Sequence, residues 1–169
     1  MRYISIGKIV NTHGIKGEVR LLSHFEYKEK AFVKGMKIYI GKEKIEEEIV
    51  SYRPHKSFDM IRLKGRYNIN DVLSYKGQFC YVDYDDLRLS GDECLAMDLI
   101  GLPAYSAGAH VGCVKRIEDI GNDRRLLILE HDGKESMIPY IQEFVSYNKR
   151  ANVVNLTVPE GLIKWELIF

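Results

Sequence analysis

The stretch GKIVNTHGIKGEVRL, Gly7 to Leu21, sets three glycines, one histidine and three basic residues between two segments of alternating apolar character. A Walker phosphate loop needs GxxxxGK[ST] between a strand and a helix, and neither the spacing nor a helical continuation is present. Gly14 and Gly17 keep the spacing of the tail of GxGxxG, but the residues after them alternate as a strand, so no helix N-terminus is available for a pyrophosphate. The stretch therefore reads as a tight reversal between two strands, with glycines taking positive φ. His13 has no cysteine, carboxylate or second histidine at a productive local spacing, so it reads as part of the turn and not as a catalyst.

The same period-two alternation recurs along the chain. YISIGKIV, GEVRLLS, MKIYIG, KIEEEIVSYR, FDMIRLKG and GQFCYVDY predict six strands in the first half, a number that suits a small closed barrel. The one helix expected there is short, Asp71 to Lys76, with Asn70 as its N-cap and Gly77 as its stop. An acidic, turn-rich stretch comes next and reads as a linker over 83–97. Beyond it IGLPAYSA, HVGCVKRIEDI, RRLLILEH, ESMIPYI and NVVNLTV predict a second set of strands, with GND and HDGK as hairpin turns. PEGLIKW is expected to fold back as a short turn or helix that closes this second barrel, with Pro159 ending the last strand. The expected class is all-β, with domains at 1–82 and 98–169.

The chain's 169 residues carry a net charge of only +1, which hides an asymmetry. Residues 1–82 hold 16 Lys and Arg against 9 Asp and Glu, a net +7, and residues 83–169 a net −6. A positive module beside a negative one suits a protein that meets a polyanion with one half and a basic protein with the other; the alternative is that the halves attract each other. No apolar run reaches the roughly 18 residues of a spanning helix. The N-terminus lacks the apolar block of a signal peptide, so the expected location is cytoplasmic. Cys80, Cys94 and Cys113 cannot pair completely and form no CxxC, so they read as reduced thiols.

Metal and nucleophile motifs are missing. Histidines 24, 55, 110 and 131 are isolated, and AYSAGAH has neither the spacing nor the context of a nucleophile elbow. The residues that stand out are cations: Lys8, Lys16 and Arg20 around the first turn, with His13 among them, then Arg53, His55, Lys56, Arg62, Lys64 and Arg66. Such groups suit RNA phosphates, and Tyr52, Phe58 and Tyr67 lie among them as candidates for stacking on unpaired bases. The plainer alternative has the aromatics filling the barrel and the cations forming a solvated face.

The opening stretch resembles the N-terminal signature of the ribosome maturation factor RimM family, a GxIxxxHGIKGEVR-like turn. NINDVLSYKGQFCYV, DLIG at 98–101, GCVKRIEDIGNDRRLLIL, MIPYIQEFV and VPEGLI are similar to that family's later landmarks, in order, over nearly the whole chain. The resemblance implies a translation-factor-like barrel followed by a PRC barrel. It also implies a monomeric, non-enzymatic assembly chaperone with no cofactor and no membrane. Such a chaperone binds the free small ribosomal subunit, assists head maturation and small-subunit rRNA processing, and contacts the head protein numbered nineteen. On this basis Lys8, His13, Lys16, Arg20, Arg53, Lys56 and Arg62 are the candidate rRNA or subunit contacts. Just before DLIG the family carries two tyrosines and a tryptophan, which the resemblance implies as a subunit-contact position, and this chain has Cys94, Leu95 and Ala96 in their place. The rival expectation is an enzyme that binds a flavin or phosphorylated ligand in the first barrel.

Overall fold

The computed structural model describes residues 1–163. The chain divides into two compact units, Met1–Arg88 and Leu89–Phe169. In the first, strands β1 (Tyr3–His13), β2 (Glu18–Leu22), β3 (Lys37–Ile40), β4 (Ile45–His55), β5 (Phe58–Leu63) and β6 (Phe79–Asp83) close a barrel in the order β1-β2-β5-β4-β3-β6. Alternation puts Ile4, Ile6, Ile9, Val19, Leu21, Ile49, Ile61, Leu63, Cys80 and Val82 inside, all buried. Burial pushes the Cys80 thiol up to about 12, so that cysteine behaves as a small apolar core residue.

Closure falls on β1, which is hydrogen-bonded to β2 on one side and β6 on the other, with a register shift in each ladder. Gly7 sits at the shift facing β6 with φ +152, and a Cβ on it would lie 2.7 Å from the Leu22 carbonyl oxygen. Only a residue without a side chain lets β1 bend this close to β2.

Two buried carboxylates lie in the first barrel, each met by a cation and a tyrosine. Glu47 accepts two hydrogen bonds from Arg66, at 3.0 and 2.7 Å, and a third from the Tyr75 hydroxyl. Asp59 accepts from Lys28 Nζ at 2.8 Å and from the Tyr52 hydroxyl at 2.7 Å. Burial, then the carboxylate at the hydroxyl, pushes both Tyr75 and Tyr52 up to about 12. A buried carboxylate without such partners would be strongly destabilising, so each trio acts as a unit.

The helix expected over 71–76 is replaced by two 3-10 turns, Ile69–Asp71 and Leu73–Tyr75. The cap is Asn68 and not Asn70, and Asn68 forms a capping box with Asp71 that fixes a tighter turn two residues earlier. A one-turn helix, α1 (Lys28–Ala31), lies in the β2–β3 connection, where the sequence pattern predicts neither strand nor helix. Four residues are too few to show a helical period.

The second unit is a six-stranded sheet of order β10-β9-β8-β7-β12-β11, built from β7 (Pro103–Ser106), β8 (Ala109–Asp119), β9 (Arg125–His131), β10 (Lys134–Pro139), β11 (Val145–Asn148) and β12 (Val153–Leu156). The last strand returns to pair parallel with the first, Val154 beside Ala104. The HDGK hairpin forms as expected, with Asp132 and Gly133 both at positive φ. Strand β11, absent from the sequence expectation, has one buried residue, Val145, and so lacks the alternation that marks its neighbours. The core includes Cys94, Leu99, Val111, Leu127, Leu129, Ile138, Leu156 and Ile163. Of the expected PEGLIKW closure, Pro159 to Ile163 form a turn with Ile163 buried, and Lys164 and Trp165 lie outside the described residues. None of the helices among the described residues is long and apolar enough to cross a membrane.

The stretch at 83–97 carries ordered structure. A 3-10 turn at Tyr84–Leu87 ends the first unit with Leu87 buried, and Cys94, Leu95 and Ala96 are buried in turn.

Gly7→Ala meets both the Leu22 carbonyl and an unfavourable φ. It is expected to cost about 2–4 kcal/mol, read by denaturant unfolding with a probe in the first barrel. An unchanged midpoint would show that β1 does not depend on this close approach.

Candidate nucleic-acid interface

The turn Gly14–Gly17 joins β1 to β2 and is fixed from three sides. The Ile69 N–H donates to the Ile15 carbonyl at 2.9 Å, and Arg62 Nη2 donates to the Lys16 carbonyl at 3.1 Å. Gly17, at φ +82, backs onto the next segment, where a Cβ would lie 2.5 Å from the Arg66 carbonyl and 3.2 Å from the Asn68 nitrogen. Arg66 is itself held by Glu47, so the buried carboxylate sets the wall against which the turn rests. The turn is a rigid edge of the barrel.

Around it the strands gather cations. His13 ends β1 opposite Glu18 on β2, and Arg20 lies two residues further along β2. Arg20 Nη2 lies 3.1 Å from His13 Nδ1. The Arg20 guanidinium also lies over the Phe58 ring, 5.1 Å from its centre, while its Nε is buried without a hydrogen-bond partner. The rings of His13 and His55 approach to 5.8 Å. Lys56 is exposed at the β4–β5 hairpin beside His55.

Arg53 is occupied differently, donating from Nε and Nη2 to the two oxygens of Glu18 at 3.1 and 2.7 Å. That contact first, aided by the charges of Arg53, His13 and Arg62 and opposed by partial burial, holds the Glu18 carboxyl below its usual range. His55 is held below the usual histidine range by lost solvation and then by Arg53, Lys56, His13 and Arg20. Lys16, Arg20, Lys56 and Arg62 form no ion pair among the described residues; Lys16 and Lys56 are exposed, and Arg20 and Arg62 are half-buried.

The structure therefore brings six of the sequence candidates, His13, Lys16, Arg20, Arg53, Lys56 and Arg62, onto the connected strands β1, β2, β5 and β4 and their turns. Lys8 stands apart, paired in register with Phe79 of β6 and lying 5.5 Å over its ring. At the positions of the family's aromatic trio, Cys94 and Ala96 are 7% exposed and Leu95 1%, so these three side chains pack inward and present no surface to a partner. Glu18 and Glu47 brace this edge without being singled out by the sequence, and Arg66, one of the cations that stand out there, is taken by Glu47. The exposed Ile15 at the turn's tip gives no sequence signal either. Among the described residues no three His, Cys, Asp or Glu side chains converge in a metal-holding arrangement.

Comparison with known proteins bears on both units. The family model described as the RimM N-terminal domain matches residues 4–87, and that of the RimM PRC barrel domain matches residues 96–162. A protein of Geobacillus kaustophilus named ribosome maturation factor RimM is 36% identical over 170 residues, covering 96% of this chain and 97% of its own. Proteins of the same name from Streptococcus suis and Bacillus anthracis are each 34% identical, covering 99% and 96% of this chain and 96% and 99% of their own.

Removing Arg53 should move two neighbours in the same direction. In Arg53→Ala, Glu18 loses the donor that favours its anion and His55 loses a repelling cation, so both titrate at higher pH in NMR. Because the depressed Glu18 value stabilises the fold only above its unfolded value and is lost as pH falls through the folded one, the variant's stability deficit should shrink in acid. An unmoved Glu18 titration would contradict this geometry.

Proposed function

This chain belongs to the RimM family of ribosome maturation factors, and from that premise we propose that it binds the free small ribosomal subunit and assists maturation of its head and processing of its rRNA. The observation that carries the proposal is a barrel edge on which exposed Lys16 and Lys56 flank half-buried Arg20 and Arg62, none of the four in an ion pair among the described residues. Phosphates gain most from cations held in place before binding, because less side-chain freedom is lost on contact. Arg53, committed to Glu18, serves here as a brace.

The two halves take different partners. The first, with its net +7, meets rRNA, and the second, with its net −6, meets the basic head protein numbered nineteen. With the positions of the family's aromatic trio turned inward in this chain, that second contact relies on other surface groups.

The action is stoichiometric, without catalysis or cofactor, and takes place in the cytoplasm. A factor that binds the assembly-competent head better than misfolded alternatives shifts the population by its differential affinity, and about 1.4 kcal/mol gives a tenfold shift. Release comes when the mature subunit removes that difference.

The test is co-sedimentation with free small subunits across a salt series. Retention at low salt that falls as salt rises is expected. Lys16→Glu combined with Lys56→Glu should weaken binding at least about tenfold and make the salt slope shallower by roughly 0.7–0.9 per lost phosphate contact, without changing the unfolding midpoint. Arg20 is left intact in that variant because it holds His13 and covers Phe58. Absence of retention by free subunits, or unchanged affinity in the double variant, would overturn the proposal.

A further inference from the structure

Three aromatic residues stand in the basic stretch 52–67, and the structure separates their roles. Tyr52 donates its hydroxyl to buried Asp59 and stacks on Phe32 with ring centres 5.3 Å apart. Phe58 lies under the Arg20 guanidinium. Tyr67 is 73% exposed, and Ile15, 76% exposed, is second only to Met1 as the most exposed large apolar side chain among the described residues. These two are brought to adjoining segments: Gly17 packs against the Arg66 carbonyl and the Asn68 nitrogen on either side of Tyr67, and Ile69 donates to Ile15.

We propose that Tyr67 and Ile15 form a platform on which an unpaired RNA base stacks, with its flanking phosphates taken by Lys16, Arg62 and Lys64. This rests on the rRNA-binding reading above and adds what that surface distinguishes, single-stranded from paired RNA. The backbone beneath the platform is fixed before any ligand arrives, since the N–H groups of Tyr67 and Asn68 both donate to Asp71 Oδ2 at 3.1 Å. A large ring on a fixed backbone is the arrangement that single-strand-binding barrels use, because every base has a π-face while bases within a duplex have none free. The charged groups nearby are the cations Lys16, Arg62 and Lys64 and the anions Asp71, Glu48 and Glu18, with Lys64 lying 3.2 Å from Glu48 and Glu18 taken by Arg53. In a unit, Met1–Arg88, of net +5, that balance favours a polyanion over a basic protein.

The experiment measures binding of the full chain to a labelled single-stranded RNA of about 12 nucleotides, within the span of a small barrel, and to a duplex of equal length at the same salt. Tyr67→Ala is expected to weaken single-strand binding at least about fivefold, the low end of one lost stacking contact, and to leave duplex binding within about twofold. Tyr67→Phe should retain the parent's affinity, and Lys16→Glu should weaken both RNAs. Full single-strand affinity in Tyr67→Ala, with Lys16→Glu still weakened, would overturn the platform and leave the cationic surface standing. Equal loss on both RNAs would also overturn it, as would loss of a ribosomal-protein contact with RNA binding intact. No binding of either RNA by the parent chain would overturn both readings together.

Discussion

The contact between Glu47 and Arg66 carries the first barrel's edge. A carboxylate 5% exposed needs compensation, and Arg66 supplies it through two N–H groups while the Tyr75 hydroxyl supplies a third donor. Holding Arg66 in that way fixes its carbonyl, against which Gly17 rests, and so fixes the turn of Gly14–Gly17 and the course of the chain through Tyr67. An interior electrostatic requirement thereby becomes a rigid exterior surface. The second trio, Asp59 with Lys28 and Tyr52, does the same for β4 and β5, and it withdraws Tyr52 from the surface.

Rigidity and charge act together in the proposed function. RNA carries a dense line of phosphates, and any set of exposed cations attracts it; a set held in one geometry also selects among RNA conformations. That selection is what an assembly factor without a chemical step has to work with. Lost solvation first, and then the charges of Arg53, Lys56, His13 and Arg20, hold His55 below the usual histidine range before any anion is present.

Most of the strands were legible because β-branched and aromatic residues alternate strictly over short runs, and Asp132-Gly133 forms the hairpin that such a pair demands. The glycine turn was legible for the same reason that two phosphate motifs failed: a strand comes after it. Local spacing could not show which groups meet across the barrel. KIEEEIVSYR reads as a strand, but the partners that let Glu47 sit in the core, Arg66 and Tyr75, come together only in the closed barrel. Asn68 capping a 3-10 turn in place of Asn70 capping a helix, and the four-residue α1, lie below the length at which a period can be read. Tyr52, Phe58 and Tyr67 are equivalent candidates in sequence and separate only once Asp59, Arg20 and Gly17 are placed beside them. Cys94, Leu95 and Ala96 look like a lost contact surface in sequence, and folding turns all three inward.

The edge built on Glu47 and Arg66 is the surface proposed to meet rRNA. Hydrogen exchange of the full chain, free and bound to the free small subunit, tests it most directly. Binding is expected to protect the amides of residues 13–20 and 64–69 in the first barrel. Protection confined to the second unit, with those segments exchanging as in the free chain, would contradict it.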